Sequence, residues 1–448
     1  MERFVTLEQM LCAREARQAR LNAALVRAPL VSFTMNIAGP EKNSPLIRRG
    51  FFVGCKRLTD AFAAHGITLT LLEVTDEITG CEALYAAEGC ALTAKALCAA
   101  CEDADELGRL FDMDVIDADG RRISREELGL RERGCMICGA QGRGCAARRA
   151  HSVDELQRET TRRLHNFFRN ADRKNIAVLA TQSLLDEVHV TPKPGLVDRC
   201  NSGSHTDMDL ALFEKSAAAL APYWETCVSI GMESSSLTSV ETFAQLRRAG
   251  LSAEQTMLDA TGGVNTHKGV IFLLGILCGA VGRLWRADTP CRDAKALCAE
   301  CARMTTAPLR EEFSHLTPDT AGAQFSLRHG MRGARGEVMD ALPGVQETAL
   351  PALRSAIENG CTREHAAAIA LLHLIARETD TNMVKRGGID GAQWGAQQAR
   401  KLLQRASVPA IEDIAALDAQ FIAKNLSPGG CADLLALALF LHELENMN

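Results

Sequence analysis

The spacing of apolar positions changes character once along the chain. Up to about residue 165, short β-branched or alternating runs alternate with helical patterns. Residues 30–37 (LVSFTMNI), 67–74 (ITLTLLEV) and 110–116 (LFDMDVI) read as strands bounded by Gly, Pro or Asp turns. Residues 44–64 and 91–106 between them carry helical periods. Thr6 with Gln9 forms a capping box that opens an Arg-rich amphipathic helix. From Asp172 onward strand signals almost vanish, and Ala/Leu-rich helices alternate with Gly/Pro/Asp loops. Residues 246–248 before Gly250, 366–377 and 433–444 fit helices with recognisable stops. The charged stretch 148–173 joins the two textures and reads as an exposed helix. The expectation is a multidomain chain: an α+β domain over residues 1–165, then a larger all-α domain over residues 174–448.

The helical half is interrupted by five turn-rich, charged elements. The most informative runs from Thr261 to Gly269 (TGGVNTHKG) directly into the apolar run 270–280. A glycine-rich loop that feeds a buried helix aims backbone N–H groups at an anion, and His267 and Lys268 place charge where the helix dipole already favours phosphate. The other four are TPKPGLVD (191–198), GARGE (333–337), Asp380-Thr381-Asn382 with Arg386-Gly387-Gly388, and SPGGCAD (427–433).

In the first half, Asp112 and Asp114 stand two apart in a strand, so they share a face and can share one divalent ion. The alternative is an edge strand with two solvated carboxylates. Lys42 and Arg48 flank a strand-to-helix turn and could hold phosphates, or simply form a charged helix face. Cys135, Cys138, Cys145 and His151 have the ligand types of a structural zinc knuckle, against free reduced cysteines. Arg131, Arg133, Arg143, Arg148 and Arg149 surround it, with Gly142 among the turn glycines, and would suit an acidic protein partner. Cys98/Cys101 and Cys298/Cys301 lie inside helical patterns and read as small buried hydrophobes.

Composition narrows the partners. A formal net charge of −6 argues against general nucleic-acid binding while leaving room for a local cationic pocket. The 17 cysteines, with no signal-peptide pattern, point to a reducing cytoplasmic setting. The longest apolar run, 270–282, is too short for a bilayer, so no membrane partner is expected.

These motifs together resemble a fusion of two enzymes that make and attach the prosthetic group of citrate lyase. Residues 1–165, through SFTMNI (32–37) with Gly39-Pro40, GRLFDMDV (108–115) and the Cys/His tail, resemble apo-citrate lyase phosphoribosyl-dephospho-CoA transferase (holo-citrate lyase synthase). From about residue 175 the five elements resemble triphosphoribosyl-dephospho-CoA synthase. Two departures stand out: Ala341-Leu342-Pro343 where the family has Gly-Phe-Pro, and Lys385 where a histidine is expected.

The resemblance implies a nucleotidyltransferase-like mixed sheet in the first half. It implies that the second half joins ATP to dephospho-CoA and releases adenine. Lys193, His267, Lys268, Arg335 and Arg386 would bind phosphates, and Asp198, Asp380, Glu187 and Glu337 are the candidate catalytic carboxylates. Asp207 and Asp433 would hold Mg²⁺, with a helix N-cap as the alternative role for each. The first half would move phosphoribosyl-dephospho-CoA onto a serine of the citrate lyase acyl-carrier (gamma) subunit and release pyrophosphate. Asp112 and Asp114 would bind Mg²⁺ there, with Lys42, Arg48 and Arg109 stabilising negative charge. Two other classes remain open: an all-α Mg²⁺-dependent hydrolase of nucleotide or ADP-ribosyl substrates, and a non-enzymatic carrier-docking scaffold.

Overall fold

The computed structural model describes residues 4–24, 28–140, 145, 147–315, 330–377 and 380–447; Gly142 and Arg143 lie outside the described residues. Backbone proximity divides the chain into two compact units, residues 1–171 with 286–289 and residues 172–285 with 290–448.

The first unit begins with α1 (Leu7–Ala24), opened by the expected capping box: Gln9 Oε1 accepts from Thr6 N at 2.8 Å and Thr6 Oγ1 from Gln9 N at 3.2 Å. Strands β1 (Leu30–Met35), β2 (Leu69–Glu77), β3 (Gly80–Ala87), β4 (Phe111–Ile116) and β5 (Arg122–Ile123) form one sheet in the order β2-β3-β1-β4-β5. Every described pairing is antiparallel, which corrects the mixed sheet expected from sequence. Strand β3 (GCEALYAA) carried no strand signal because Ala and Glu favour helices in isolation; pairing with both β1 and β2 overrides that preference.

Helices α2 (Pro45–Ala64) and α3 (Ala91–Asp103) pack on this sheet. Ser44 caps α2, with Pro45 at its first position where a missing N–H costs nothing. Phe33 of β1 stacks on Phe51 of α2, ring centroids 4.9 Å apart, and meets Phe111 of β4 edge-on at 5.2 Å. This packing requires Gly54, since a Cβ there would stand 2.3 Å from the Phe33 ring.

Helix α4 (Val153–His189) is longer than the exposed linker expected, and the division between units falls within it. The second unit continues with α5 (Leu210–Glu233), α6 (Ser239–Thr261), α7 (Lys268–Arg283), α8 (Ala294–Ser314), α9 (Gly333–Met339), a π-helical turn at Gly344–Ala349 and α10 (Leu350–Glu358). It closes with α11 (Arg363–Ile375), α12 (Thr381–Arg405), α13 (Ile411–Ala423) and α14 (Gly429–Asn446). No strand occurs among its described residues, as expected.

Gly250 does not stop a helix. It lies inside α6, which ends at Gly262 in the left-handed region at φ 69°. Nearly every residue of α7 from Val270 to Gly282 is buried, so this short apolar helix forms the centre of the core. No described helix is long and apolar enough to cross a membrane.

Candidate functional site

In the second unit the five sequence elements converge on the start of α7. A cavity of about 420 Å³ is lined by Glu187, Lys193, His267, Lys268, Lys385, Arg386 and Asp433, among others. A second, of about 330 Å³, is lined by Glu337, Asp380 and Asp433. A third, of about 390 Å³, has Lys268 and Arg335 on its wall. Ala334 borders all three, and Asp433 borders the first two.

Asp433 lies within α14 and accepts the backbone N–H of Val270, so a carboxyl from another helix occupies the N-terminus of α7. The fit depends on Gly269, because a Cβ there would stand 1.9 Å from Asp433 Oδ2. Although Asp433 keeps partial access to the cavity, its carboxyl is desolvated. Burial first, then Glu187 and Asp380, push it well above the usual carboxylate range, against the pull of Val270 N–H. A helix N-terminus expected to receive phosphate thus already holds a side-chain carboxyl.

Lys193 is buried and donates from Nζ to Glu187 Oε1 at 2.7 Å and to the Glu187 carbonyl at 2.9 Å. His267 is not the cation expected. Burial, and then the Lys193 charge, bring its pKa down to about 3. Thr266 Oγ1 donates to Ser216 Oγ at 2.8 Å, and Ser216 Oγ lies 2.7 Å from His267 Nδ1. Thr266 Oγ1 also lies 3.2 Å from Nδ1, so two hydroxyls share that ring nitrogen. Lys268, the first residue of α7, is exposed and reaches Glu254 at 2.7 Å. Arg386 donates to the Ser204 carbonyl at 2.6 Å and to Asn425 Oδ1 at 2.9 Å.

Other candidates hold the frame. Asp198 accepts from the backbone N–H groups of Cys200 (2.7 Å), Asn201 (3.0 Å) and Lys193 (3.1 Å), organising its loop. Asp380 caps α12, accepting from Asn382 N at 2.7 Å and Met383 N at 2.9 Å, and takes Cys431 N at the start of α14 at 2.9 Å. Burial raises its pKa. Glu337 accepts from Gly344 N at 2.9 Å and faces Arg377; burial raises its pKa too. Arg335 lies 3.8 Å from Glu312 at the surface. Asp207 is 62% exposed, is not among the residues lining the cavities, and does not cap α5, whose N-cap is Asp209.

Asp418 was not singled out from sequence. Its carboxylate holds the TPKPGLVD loop through Gly195 N (2.8 Å) and Asn201 Nδ2 (2.9 Å). An aspartate on an otherwise amphipathic helix gives no sequence cue to this role.

In the first unit Asp112 and Asp114 stand on β4 as the pattern predicts, opposite Thr34 and Ser32 of β1. The Met113 peptide between them is clamped by α3: Glu102 Oε1 accepts its N–H at 2.8 Å and Lys95 Nζ donates to its carbonyl at 2.8 Å. Both side chains are buried. Their signal was two charges seven residues apart on one face of an Ala/Cys-rich helix. Asp112 keeps an exposed edge, yet desolvation, then Asp114 and Glu102, hold its carboxyl above the usual range against Arg133 and Lys95.

Arg109 donates to the Gly134 carbonyl at 2.6 Å, and Arg133 lies 3.6 Å from Glu102. Lys42 and Arg48 are engaged elsewhere, Lys42 with the Ile37 carbonyl and Arg48 with Asp76 at 2.8 Å. Burial, then Arg14, lowers the Lys42 pKa. Cys135, Cys138, Cys145 and His151 converge, their ligand atoms all within 4.8 Å of one another. Among the described residues no other group of three or more His, Cys, Asp or Glu meets that condition, so the carboxylates of the second unit form no such cluster. Cys98, Cys101, Cys298 and Cys301 are buried inside α3 and α8, with thiol pKa values raised by burial.

Residues 5–167 match the family of apo-citrate lyase phosphoribosyl-dephospho-CoA transferases (CitX) and residues 173–448 that of ATP:dephospho-CoA triphosphoribosyl transferases (CitG). Protein CitXG of Haemophilus influenzae is 35% identical over 97% of this chain and 96% of its own length. The 2-(5''-triphosphoribosyl)-3'-dephosphocoenzyme-A synthase of Pectobacterium atrosepticum is 43% identical over 58% of this chain and 86% of its own. That of Haemophilus ducreyi is 38% identical over 69% of this chain and 99% of its own. With both family matches in order along one polypeptide and a fused relative aligned nearly end to end, the chain belongs to the CitXG family, a CitX unit followed by a CitG unit.

Proposed function

We propose that the second unit makes the citrate lyase prosthetic group from ATP and dephospho-CoA, and that the first unit attaches it to a serine of the citrate lyase acyl-carrier subunit. The chain is a bifunctional transferase. One observation carries the assignment in the second unit: a desolvated carboxyl, Asp433, stands on the wall shared by two cavities of about 420 and 330 Å³. A reaction that joins two nucleotides needs two berths meeting at the reacting atoms.

In this reading the 2′-hydroxyl of the dephospho-CoA ribose attacks the anomeric carbon of the ATP ribose and releases its proton to solvent, while the bond to adenine breaks with its electrons moving to the base. Asp433, whose carboxyl is biased toward its protonated form by burial, donates a proton to the departing adenine. Its neighbours Glu187 and Asp380 keep that proton in place until the base needs it. Lys268 and Arg386 on the cavity wall attract the triphosphate, and neutral His267 serves as a hydrogen-bond donor. Asp198, Asp380 and Glu337 act by holding the loops and helix ends that shape the cavities.

In the first unit the paired, mutually repelling carboxylates of Asp112 and Asp114 fit one divalent ion, and these two residues would hold Mg²⁺ in a nucleotidyltransferase-like arrangement. When bound, the ion supplies charge neutralisation for the pyrophosphate leaving group. Arg133 adds fixed positive charge beside it. In the second unit exposed Asp207 and desolvated Asp433 do not make a matching pair, so no step there is assigned to a protein-held ion. The Cys135, Cys138, Cys145 and His151 cluster suits structural zinc.

The test incubates the protein with an apo acyl-carrier subunit, ATP, dephospho-CoA and Mg²⁺. A carrier mass gain equal to phosphoribosyl-dephospho-CoA, with adenine released, is the expected result. Absence of adenine overturns the assignment of the second unit. Adenine without carrier modification overturns that of the first. Adenine formed without dephospho-CoA favours the hydrolase reading.

A further inference from the structure

The cysteine-bearing turn holds Arg109 and Arg163, and Arg133 just ahead of it acts on Asp112. Cys138 and Cys145 Sγ atoms lie 3.4 Å apart, and all four ligand atoms fall within 4.8 Å. A tetrahedral zinc with Zn–S of about 2.3 Å separates its ligands by roughly 3.5–3.8 Å, so small movements close the shell. His151 Nε2 is buried with no hydrogen-bond partner among the described residues, an orphan that a metal would satisfy. The first turn is already wound, with Gly139 N donating to the Cys135 carbonyl at 2.9 Å and Gly139 at φ 71°.

The turn also holds cations in place. Its backbone carbonyls are docking points for guanidinium groups: Gly134 receives Arg109 at 2.6 Å and Met136 receives Arg163 at 2.9 Å. Arg133, two residues before the first cysteine, lies 3.6 Å from Glu102, the residue that clamps Met113. Arg133 Nη1 is also buried without a partner among the described residues. Like charges crowd here: burial first, then Arg133 and Arg163, lower the pKa of Arg109. Such crowding is relieved by an incoming anion.

We propose that Cys135, Cys138, Cys145 and His151 bind one zinc ion whose task is to position Arg109, Arg133 and Arg163 as a receptor for the phosphates of the prosthetic-group precursor. The inference rests on the transferase reading of the first unit and deepens it. The four ligands are positioning residues: they touch the metal, and the arginines they hold in place touch the substrate. Zinc here neither enters the chemistry nor affects the synthase half.

The experiment uses the full chain in three forms: wild type, His151→Ala and His151→Cys. The last keeps a four-ligand tetrahedral shell. Zinc per chain is measured after exhaustive dialysis, and cobalt-substituted protein is examined for the visible absorption of a tetrahedral thiolate site. Carrier modification is assayed with pre-formed triphosphoribosyl-dephospho-CoA, and adenine release is assayed separately.

The expected result is one zinc per wild-type chain. His151→Ala should lose zinc and raise the KM for the precursor by about 10- to 100-fold, the usual scale for groups that orient a site indirectly. His151→Cys should restore both, with adenine release equal in all three. A zinc-free wild type with Cys138 and Cys145 joined as a disulfide overturns the site. Bound zinc with an unchanged KM in His151→Ala overturns the positioning role. If zinc-loaded wild type fails to modify the carrier from pre-formed precursor, the transferase reading itself falls, and the inference with it.

Discussion

The two units hold acidic groups in opposite ways. In the first, Asp112 and Asp114 stand side by side on a strand, in register with β1, with arginines and Lys95 nearby. In the second, Asp433 is delivered from α14 to the N-terminus of α7, where burial and two other carboxyls disfavour its charge. A strand sets a pair of carboxylates side by side. A helical core gathers carboxyls from separate helices and disfavours the charge on one of them. The difference follows from period: residues two apart share a strand face, whereas helices bring single residues together from distant segments.

The sharpest way to break this contrast is a pair of isosteric changes. Asp433→Asn should reduce adenine release by about 10²- to 10⁴-fold, the usual contribution of a general acid, while carrier loading from pre-formed precursor stays normal. Asp112→Asn should do the reverse, cutting carrier loading by about 10²-fold and sparing adenine release. Equal losses in both assays for either variant would refute the separation of tasks. The wild-type rate of adenine release should also fall as pH rises through the elevated pKa of Asp433; a rate that rises instead makes Asp433 a base.

A smaller effect concerns packing. Gly269→Ala forces a Cβ against Asp433 Oδ2 and should destabilise the second unit by about 1–3 kcal/mol, as overpacking generally does. The three tryptophans, Trp224, Trp285 and Trp394, all lie in that unit, so their fluorescence during denaturant unfolding isolates it. An unchanged midpoint would show that α14 shifts freely.

His267 sharpens the comparison through pH. Its folded pKa of about 3 lies below the ordinary 6.5, so between those values the unfolded chain binds a proton that the folded chain refuses. Stability from this group is full above pH 6.5 and is lost as pH falls toward 3. The raised carboxyls of Asp433 and Asp380 act in the opposite sense, losing stability as pH rises. Comparison with His267→Gln therefore isolates the histidine: the stability difference between the two proteins should change by up to about 1.4 kcal/mol per pH unit in that window. A difference independent of pH would mean that the ring is solvated.

The mildest prediction concerns a left-handed turn. Ala341 sits at φ 61°, a conformation that favours glycine, and Leu342 follows at φ 57°. Ala341→Gly should raise the tryptophan-reported stability by about 1 kcal/mol. A loss of stability would show that the alanine methyl contributes packing that outweighs backbone strain.

What sequence revealed was local. The strand around Asp112 and Asp114, the glycine loop leading into α7 and the capping box at Thr6 each depend on residues a few positions apart, and each stands where its pattern places it. The failures depend on tertiary context. Strand β3 is made by its neighbours, Gly250 passes through a helix because its surroundings hold it there, and His267 loses its charge to burial that no local pattern encodes. The Asp433 contact with Val270 joins two separate sequence elements, so each half was visible as a motif and the contact between them was not.

The Met113 clamp has a consequence beyond substrate binding. β5 pairs with β4 only at Val115 and Ile116, which leaves the earlier part of β4 on the margin of the sheet. An open margin invites strand addition from another molecule, the first step toward aggregation. Lys95 and Glu102 consume the N–H and carbonyl that such an intruder would need, and the carboxylates on either side add repulsion. The same two side chains that align the acidic pair thereby keep its strand from recruiting a neighbour.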